Sequence, residues 1–230
     1  MDIDLLSQLN AERAARRAAV LVTDLADGSN TLVKEGKATP GTLGPMVERA
    51  FRTGKSAAVE ADGRQYFINA HLPPPRLVVI GAVHISQALA PMAKIAGFDL
   101  SVIDPRTAFA TSERFEGVTL HAQWPEEVLQ AHPLDPFTAL AAVTHDPKID
   151  DDALKAALDA GCFYVGALGS RKTHAKRVAR LSDIGVTDEM IARIASPIGL
   201  DIGASSPQEI AVAILAEIIS ALRKRQVVGS

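Results

Sequence analysis

The chain has 230 residues and a formal net charge of −3, with 47% hydrophobic, 22% charged and only 4% aromatic residues. This composition can bury a large core, and it argues against a generic nucleic-acid-binding protein, which usually carries a clustered basic surface. No apolar run approaches the roughly 20 residues of a membrane span and no basic leader opens the chain, so we expect a cytoplasmic protein.

The first part of the sequence, residues 1–72, is predicted to form a small α+β domain. Helical and alternating apolar patterns follow one another there, and an Asp-Gly pair at 62–63 indicates a hairpin turn. The predicted helices cover residues 4–17 and 42–53, and the predicted strands cover residues 18–24, 31–34, 56–60 and 65–69. Three consecutive prolines at 73–75 form a stiff break. We place the domain boundary there, with the second domain over residues 76–230.

The most informative stretch of the chain follows this break. Residues 77–80 form an apolar run that ends in Gly81, helical periodicity extends over residues 84–97, and a second apolar run at 98–103 precedes Asp104. This order of strand, glycine turn, helix, strand and acid is typical of the start of a doubly wound nucleotide-binding fold. Asp104 stands about where a ribose-binding carboxylate is expected.

The glycine motif of such folds, G-x-G-x-x-G, is incomplete here. Gly81 is present, but Val83 and Ser86 stand at the second and third glycine positions. The second glycine allows a pyrophosphate to approach the backbone, and a β-branched valine hinders that approach. The pattern therefore predicts the fold, and it favours a purely structural turn over a nicotinamide-dinucleotide site.

Strands and helices alternate through the rest of the chain. The predicted strands cover residues 118–120, 136–144 and 162–165, and the predicted helices cover residues 124–129, 150–158, 173–181, 188–195 and 207–225. We therefore predict an α/β protein with a doubly wound, Rossmann-like parallel sheet and a small N-terminal α+β domain. Cys162 is the only cysteine and falls in an apolar run, where an inert buried thiol is favoured over a nucleophile.

Polar residues and glycines gather at four predicted strand ends, where ligands bind in open α/β sheets. The candidate cofactor-binding residues are Gly81, Ala82, Val83, His84, Asp104, Arg106, Thr144, His145, Asp146, Gly166, Gly169, Ser170, Arg171 and Lys172. Residues 169–172 are the strongest candidates, because their backbone N–H groups can face an anion at a helix start and the last two side chains are basic. We favour a phosphate or another anion there over the alternative, a glycine turn followed by a solvated basic helix face.

Two further features leave alternatives open. His84 and His145 could form a metal site or an acid–base pair across the strand ends. No spacing such as H-x-x-x-H supports this, so we favour histidines that fix loops and predict neither a metal site nor a catalytic residue. The apolar segment 197–203 contains two glycines, which suit either close contact with a ligand or neighbouring subunit, or a rigid linker.

Five ordered segments of the sequence resemble the C-terminal Rossmann domain of the XdhC/CoxI proteins. They are residues 77–84 (LVVIGAVH), 102–106 (VIDPR), 144–146 (THD), 164–172 (YVGALGSRK) and 197–204 (PIGLDIGA), and the match continues at 206–211 (SPQEIA). This resemblance implies an accessory factor for molybdenum hydroxylases such as xanthine dehydrogenase. Such factors bind the molybdenum cofactor, protect it during sulfuration and help to insert it into the apoenzyme.

The N-terminal part departs from that family, which has a longer domain there with a Gly-Gly-Cys-Val-Glu stretch. The comparable residues 41–48 contain no cysteine, and Val83 replaces the second glycine of the family's Gly-Ala-Gly-His turn. The resemblance therefore indicates a shortened and diverged member, whose Rossmann half would have to carry the ligand.

The resemblance also implies cargo and partners. It implies molybdopterin as cargo, a molybdenum hydroxylase apoenzyme and a cysteine desulfurase as partners, and a homodimer, with no nucleic-acid or membrane partner. One alternative is an NAD(P)-dependent oxidoreductase on the same fold, although no hydride-transfer residue is evident. The other is an interaction protein without a ligand, in which the apolar stripe of the predicted helix 207–225 would be mainly a dimer interface rather than a core element.

Overall fold

A computed structural model describes residues 2–225 of the chain. Contacts among these residues divide the chain into two compact units, residues 2–73 with 223–225, and Pro74–Leu222. In this described part, no helix is long and apolar enough to cross a membrane.

The first unit combines helices with a small antiparallel sheet. Its elements are α1 (Ile3–Ala14), β1 (Ala19–Asp24), β2 (Asn30–Lys34), a 3-10 turn (Gly41–Leu43), α2 (Gly44–Thr53), β3 (Ala57–Ala61) and β4 (Arg64–His71). The strands pair antiparallel in the order β2-β1-β4-β3, so the hairpin predicted at residues 62–63 forms between β3 and β4. Asp62 and Gly63 join β3 to β4 with φ angles of 51° and 75°, the positive values that a tight hairpin turn requires.

The second unit alternates strands and helices along the chain. Its elements are β5 (Arg76–Ile80), α3 (His84–Ile95), β6 (Asp99–Ile103), β7 (Thr119–His121), α4 (Pro125–Ala131), β8 (Thr138–Ala142), α5 (Pro147–Asp159), β9 (Tyr164–Ala167), α6 (Arg171–Asp183), α7 (Asp188–Ile191), β10 (Ile194–Ala195) and α8 (Pro207–Lys224). The strands are parallel and lie in the order β10-β9-β8-β5-β6-β7. This confirms the predicted α/β class and the parallel Rossmann sheet.

The parallel sheet is covered on both faces, as its aliphatic strands require. Along β5, Leu77 and Val79 enter a core that includes side chains of α3 and α8. Val78 and Ile80 point the other way, into a core that includes side chains of α5. This alternation follows from the two-residue period of a strand, and it explains why β5 is apolar at successive positions.

The predicted helix over residues 188–195 is wrong in its second half. The helix α7 ends at Ile191, and Ile194 and Ala195 instead pair with Val165 and Gly166 of β9 as a parallel edge strand. Ile191 and Ile194 are both buried, and their i, i+3 spacing imitates a helical stripe. Pairing with a distant strand therefore overrides the local pattern.

The ninth strand is displaced from its predicted position. It covers Tyr164–Ala167, and Cys162 lies in the turn before it, fully buried. Burial is the main reason that the pKa of the Cys162 thiol is raised, to about 12, so the sulfur stays protonated.

Candidate functional site

Strand order places a crevice at the carboxyl ends of β5 and β8. These strands are neighbours in the middle of the sheet, and the chain leaves them for helices that contribute to different cores, α3 and α5. Ligands bind at such a switch point in open α/β sheets. Because the strands are parallel, the predicted site segments after β5, β6, β8 and β9 reach the same edge of the sheet.

The turn after β5 uses its backbone N–H groups within the chain. The N–H of Gly81 donates to the Ile103 carbonyl, and the N–H of Ala82 donates to Asp104 Oδ2, each over 2.8 Å. The N–H of Val83 donates to Ser86 Oγ over 2.8 Å. These amides lie where a dinucleotide-binding turn meets its pyrophosphate. Here they are already bonded, so the turn is structural.

Asp104 is fully buried and bound by its own chain. Arg106 donates to it from Nε and Nη2 over 2.9 and 2.7 Å, and the backbone N–H of Arg106 adds a third bond of 3.0 Å. Burial alone would raise the pKa of the Asp104 carboxyl, but the hydrogen bonds from Arg106 and Ala82 outweigh it and hold that pKa below its usual value. Asp104 therefore ties the end of β6 to the turn after β5.

The ends of β5 and β8 touch each other at Gly81 and Thr144. A Cβ atom on Gly81 would lie 2.9 Å from Thr144 Cγ2 and 3.2 Å from the Thr144 nitrogen, and Gly81 has a φ of 121°. Both the conformation and the close approach require glycine. These two residues therefore hold the ends of β5 and β8 in direct contact.

The segment after β8 connects the end of that strand to helix α5. Thr144 Oγ1 donates to Asp150 Oδ1 over 2.7 Å and accepts the N–H of Asp146 over 2.9 Å. Asp146 in turn caps α5 by accepting the N–H of Lys148, which moves the helix start three residues ahead of the predicted one. His145 is exposed and has a φ of 66°, an uncommon value for a residue other than glycine.

The segment after β9 remains open to solvent. Ser170 caps α6 by accepting the N–H of Thr173 over 3.2 Å, so the helix begins at Arg171 instead of residue 173. Ser170, Arg171 and Lys172 are exposed. The helix start that the sequence suggests for an anion is therefore accessible. Gly166 lies earlier, inside β9, where a Cβ atom would come within 2.7 Å of Ile198, so its role is close packing.

A basic cavity of about 250 Å³ lies between α5 and α6; we call it the α5–α6 cavity. It is lined by His145, Pro147, Asp150, Asp151, Lys172, Thr173, Lys176, Arg177 and Arg180. His145 and Lys172 are predicted site residues, whereas Arg177 and Asp150 are not. Arg177 is only 2% exposed, although the basic residues of α6 suggest a solvated face. Its i, i+4 spacing to the fully buried Leu181 was the available signal.

The charges in this cavity are perturbed by burial. Burial raises the pKa of Asp150 to about 6, against the Thr144 hydrogen bond and the Arg177 charge, which both lower it. Burial also lowers the pKa of Arg177. Arg180 forms an ion pair with Asp151, which raises the pKa of the guanidinium. Arg177 is therefore a buried cation that makes no direct hydrogen bond to a carboxylate among the described residues.

A larger cavity of about 510 Å³ lies elsewhere, between α3 and the loop before β7. Its lining includes Asp99 and Leu100, which belong to the amino-terminal end of β6. Ligands of open α/β sheets bind at the opposite edge, so we do not assign the site there. Within residues 2–225, no group of three or more His, Cys, Asp or Glu residues is placed to hold a metal ion.

The two-glycine segment before α8 is a packing element. A Cβ atom on Gly199 would lie 3.0 Å from both Ala213 Cβ and the Ile214 nitrogen. The N–H of Gly199 donates to Glu217 Oε2, which also accepts the Tyr164 hydroxyl. Of the two interpretations for residues 197–203, Gly199 supports the rigid linker.

Comparisons with known proteins agree with this architecture. The model of the XdhC Rossmann domain matches residues 77–218. A probable xanthine dehydrogenase subunit of Bacillus subtilis strain 168 is 34% identical over 163 residues, which are 70% of this chain and 47% of that protein. The molybdenum cofactor insertion chaperone PaoD of Escherichia coli strain K12 is 30% identical over 148 residues, 64% of this chain and 40% of that one. This chain therefore aligns with less than half of the length of either relative.

A solved structure shows the same fold. It is described as a xanthine dehydrogenase from Bacillus halodurans. The superposition covers 100% of this chain and 68% of that chain, with a TM-score of 0.65 and 23% sequence identity. At this identity the likeness concerns the fold alone.

Proposed function

The chain belongs to the XdhC family, and on this premise we propose that it binds the molybdenum cofactor and assists its sulfuration and its insertion into a xanthine dehydrogenase-type molybdenum hydroxylase. The proposed role is that of a binding and transfer protein. Molybdopterin is its cargo, and the chain itself need not catalyse a reaction.

One observation supports this proposal most directly. The exposed residues Ser170, Arg171 and Lys172, at the start of α6, stand beside the basic α5–α6 cavity at the carboxyl edge of the sheet. The pterin cofactor carries a phosphate, and a helix start with basic side chains is suited to hold one. The relative PaoD, which is named for insertion of this cofactor, is 30% identical to the chain.

The turn after β5 supports a carrier of molybdopterin over an NAD(P)-dependent oxidoreductase. The N–H groups of Gly81, Ala82 and Val83 are bonded to Ile103, Asp104 and Ser86. A pyrophosphate would have to displace these internal bonds, and each buried group left without a partner costs about 1–3 kcal/mol.

The proposal extends to partners. The apoenzyme of a molybdenum hydroxylase receives the cofactor, a cysteine desulfurase supplies the sulfur, and the carrier acts as a homodimer. We also propose that residues 1–72 and 76–230 act as separate domains, with the ligand held by the second.

The test is an equilibrium titration of the purified chain with molybdopterin. Replacing Arg171 and Lys172 together by alanine should weaken binding about tenfold, since each exposed charged contact contributes up to about 1 kcal/mol. Both side chains are exposed, so the fold should be retained. The matched control is Lys155→Ala, which removes an exposed lysine of α5 that pairs with Asp159. An affinity that is the same in all three proteins would contradict the proposed site, and no binding by the unmodified chain would contradict the function.

A further inference from the structure

We propose that the α5–α6 cavity is a phosphoryl-binding subsite, with Arg177, Lys176 and Lys172 as its cations. Its ligand class is a phosphate monoester or diphosphate, the charged end of a larger organic molecule. The assignment of that molecule as the pterin cofactor rests on the proposed function. The phosphoryl site itself rests on the cavity.

The first argument is charge. Four cationic and two carboxylate side chains line the cavity, and Arg180 is engaged with Asp151. Among the described residues, Lys172, Lys176 and Arg177 form no ion pair, and Asp150 is the one other carboxylate in the lining, so the cavity has an excess of positive charge. A phosphoryl group would balance that excess.

The second argument is the environment of Arg177. Its Nη2 donates to the Leu168 carbonyl over 2.8 Å, and its Nη1 makes a long contact of 3.4 Å with Ser196 Oγ. Its Nε is buried, and no hydrogen-bond acceptor reaches it in residues 2–225. A buried cation without a paired anion is unfavourable, and a buried donor without an acceptor adds to that penalty. A bound oxyanion would satisfy both.

The third argument is size. Pockets that enclose a drug-sized ligand usually measure about 300–1,000 Å³. The α5–α6 cavity measures about 250 Å³, so it suits a phosphoryl group and a short part of the attached chain. The exposed segment at Ser170 precedes the cavity-lining residues Lys172 and Thr173, and the rest of the ligand would leave the cavity there.

The direct probe is inorganic phosphate, titrated into the chain and followed by calorimetry at low ionic strength. Lys176→Ala should weaken phosphate binding about fivefold, the loss expected for one charged contact. Arg177→Met should weaken it at least about tenfold. Arg177 is buried, so circular dichroism must show that Arg177→Met folds. If it does not fold, the result for Lys176→Ala, at an exposed position, tests the assignment.

Two further variants separate the possible outcomes. Arg171→Ala tests the competing location, the helix start outside the cavity. Lys155→Ala changes an exposed lysine of α5 and is the control, so it should not alter phosphate binding by more than about twofold. If Arg171→Ala weakens binding and Lys176→Ala does not, or if phosphate fails to bind, the cavity assignment is overturned. If phosphate binds in the cavity but molybdopterin does not bind the chain, the subsite stands and the proposed function fails.

Discussion

Asp150 is a buried carboxyl whose removal should stabilise the protein at neutral pH. The variant Asp150→Asn keeps the volume of the side chain and an oxygen that can accept the 2.7 Å hydrogen bond from Thr144 Oγ1. It removes only the ability to ionise. The residue is 1% exposed, so the charge that appears on ionisation is poorly solvated.

The expected magnitude follows from the pKa of Asp150, which burial raises from the ordinary 3.8 to about 6. That difference corresponds to about 3 kcal/mol. The folded state binds the proton more tightly than the unfolded state does. The carboxyl therefore imposes no penalty below pH 3.8, and the penalty grows as pH rises and is complete above about pH 6. The positive charges of Arg177, Arg180 and Arg106 reduce this penalty, and the negative charge of Asp151 increases it.

The assay is urea unfolding of both proteins between pH 5 and pH 8, followed by circular dichroism. The free energy of unfolding of Asp150→Asn should exceed that of the unmodified chain by about 1.5 kcal/mol at pH 5 and by up to about 3 kcal/mol at pH 7.5. Asp152→Asn, an exposed change on the same helix, should stay within about 0.5 kcal/mol throughout. A difference for Asp150→Asn that does not change with pH, or a variant that is less stable at pH 7.5, would refute the reasoning.

Other predictions concern the contact between Gly81 and Thr144, the buried carboxylate of Asp104 and the thiol of Cys162. Gly81→Ala should destabilise the protein by about 2–4 kcal/mol in urea unfolding, because the added Cβ strains the backbone and lies too close to Thr144. Adding Thr144→Ser to this variant should restore at least about 1 kcal/mol, because it removes Cγ2. If Gly81→Ala costs no more than Gly97→Ala, whose Cβ would meet nothing within 4 Å, the close contact is unimportant. Arg106→Ala should cost about 2–3 kcal/mol by thermal or urea unfolding, since it leaves Asp104 with a buried, less compensated charge; a loss below about 0.5 kcal/mol would contradict the role of this pair. Cys162 should resist iodoacetamide at pH 8 in the folded protein and react after unfolding, as followed by mass spectrometry, and rapid labelling of the folded chain would disprove its burial.

Local patterns in the sequence were sufficient to predict the parallel sheet. The run at residues 77–80 is apolar at successive positions and stops at a glycine, which is the signature of a strand buried on both faces. The edge strand at Ile194 and Ala195 carries no such signature. It is defined by backbone pairing to β9, and that partner cannot be inferred from the two residues themselves.

Local sequence signals also allowed part of the candidate site to be predicted. Ser170 caps α6 through an interaction with Thr173, three residues away, which is a local signal; the predicted helix nevertheless begins at residue 173, two residues after the observed start at Arg171. Arg177 is buried by tertiary contacts, among them the Leu168 carbonyl and Ser196, and a basic helix sequence alone is equally compatible with a solvated face. Asp104 was placed correctly at the end of β6, but its engagement by Arg106 depends on side-chain geometry that spacing does not specify.

The internal bonding of the turn after β5 limits how this scaffold could be redesigned. Restoring a glycine at Val83 would clear space for a dinucleotide, yet the neighbouring amides would still be occupied by Asp104 and by Ser86. An engineer who wished to install a nicotinamide site would need to replace Val83, Ser86 and Asp104 together. Each intermediate variant would lose an internal hydrogen bond before it could bind the new ligand. The same barrier would face stepwise mutation in nature.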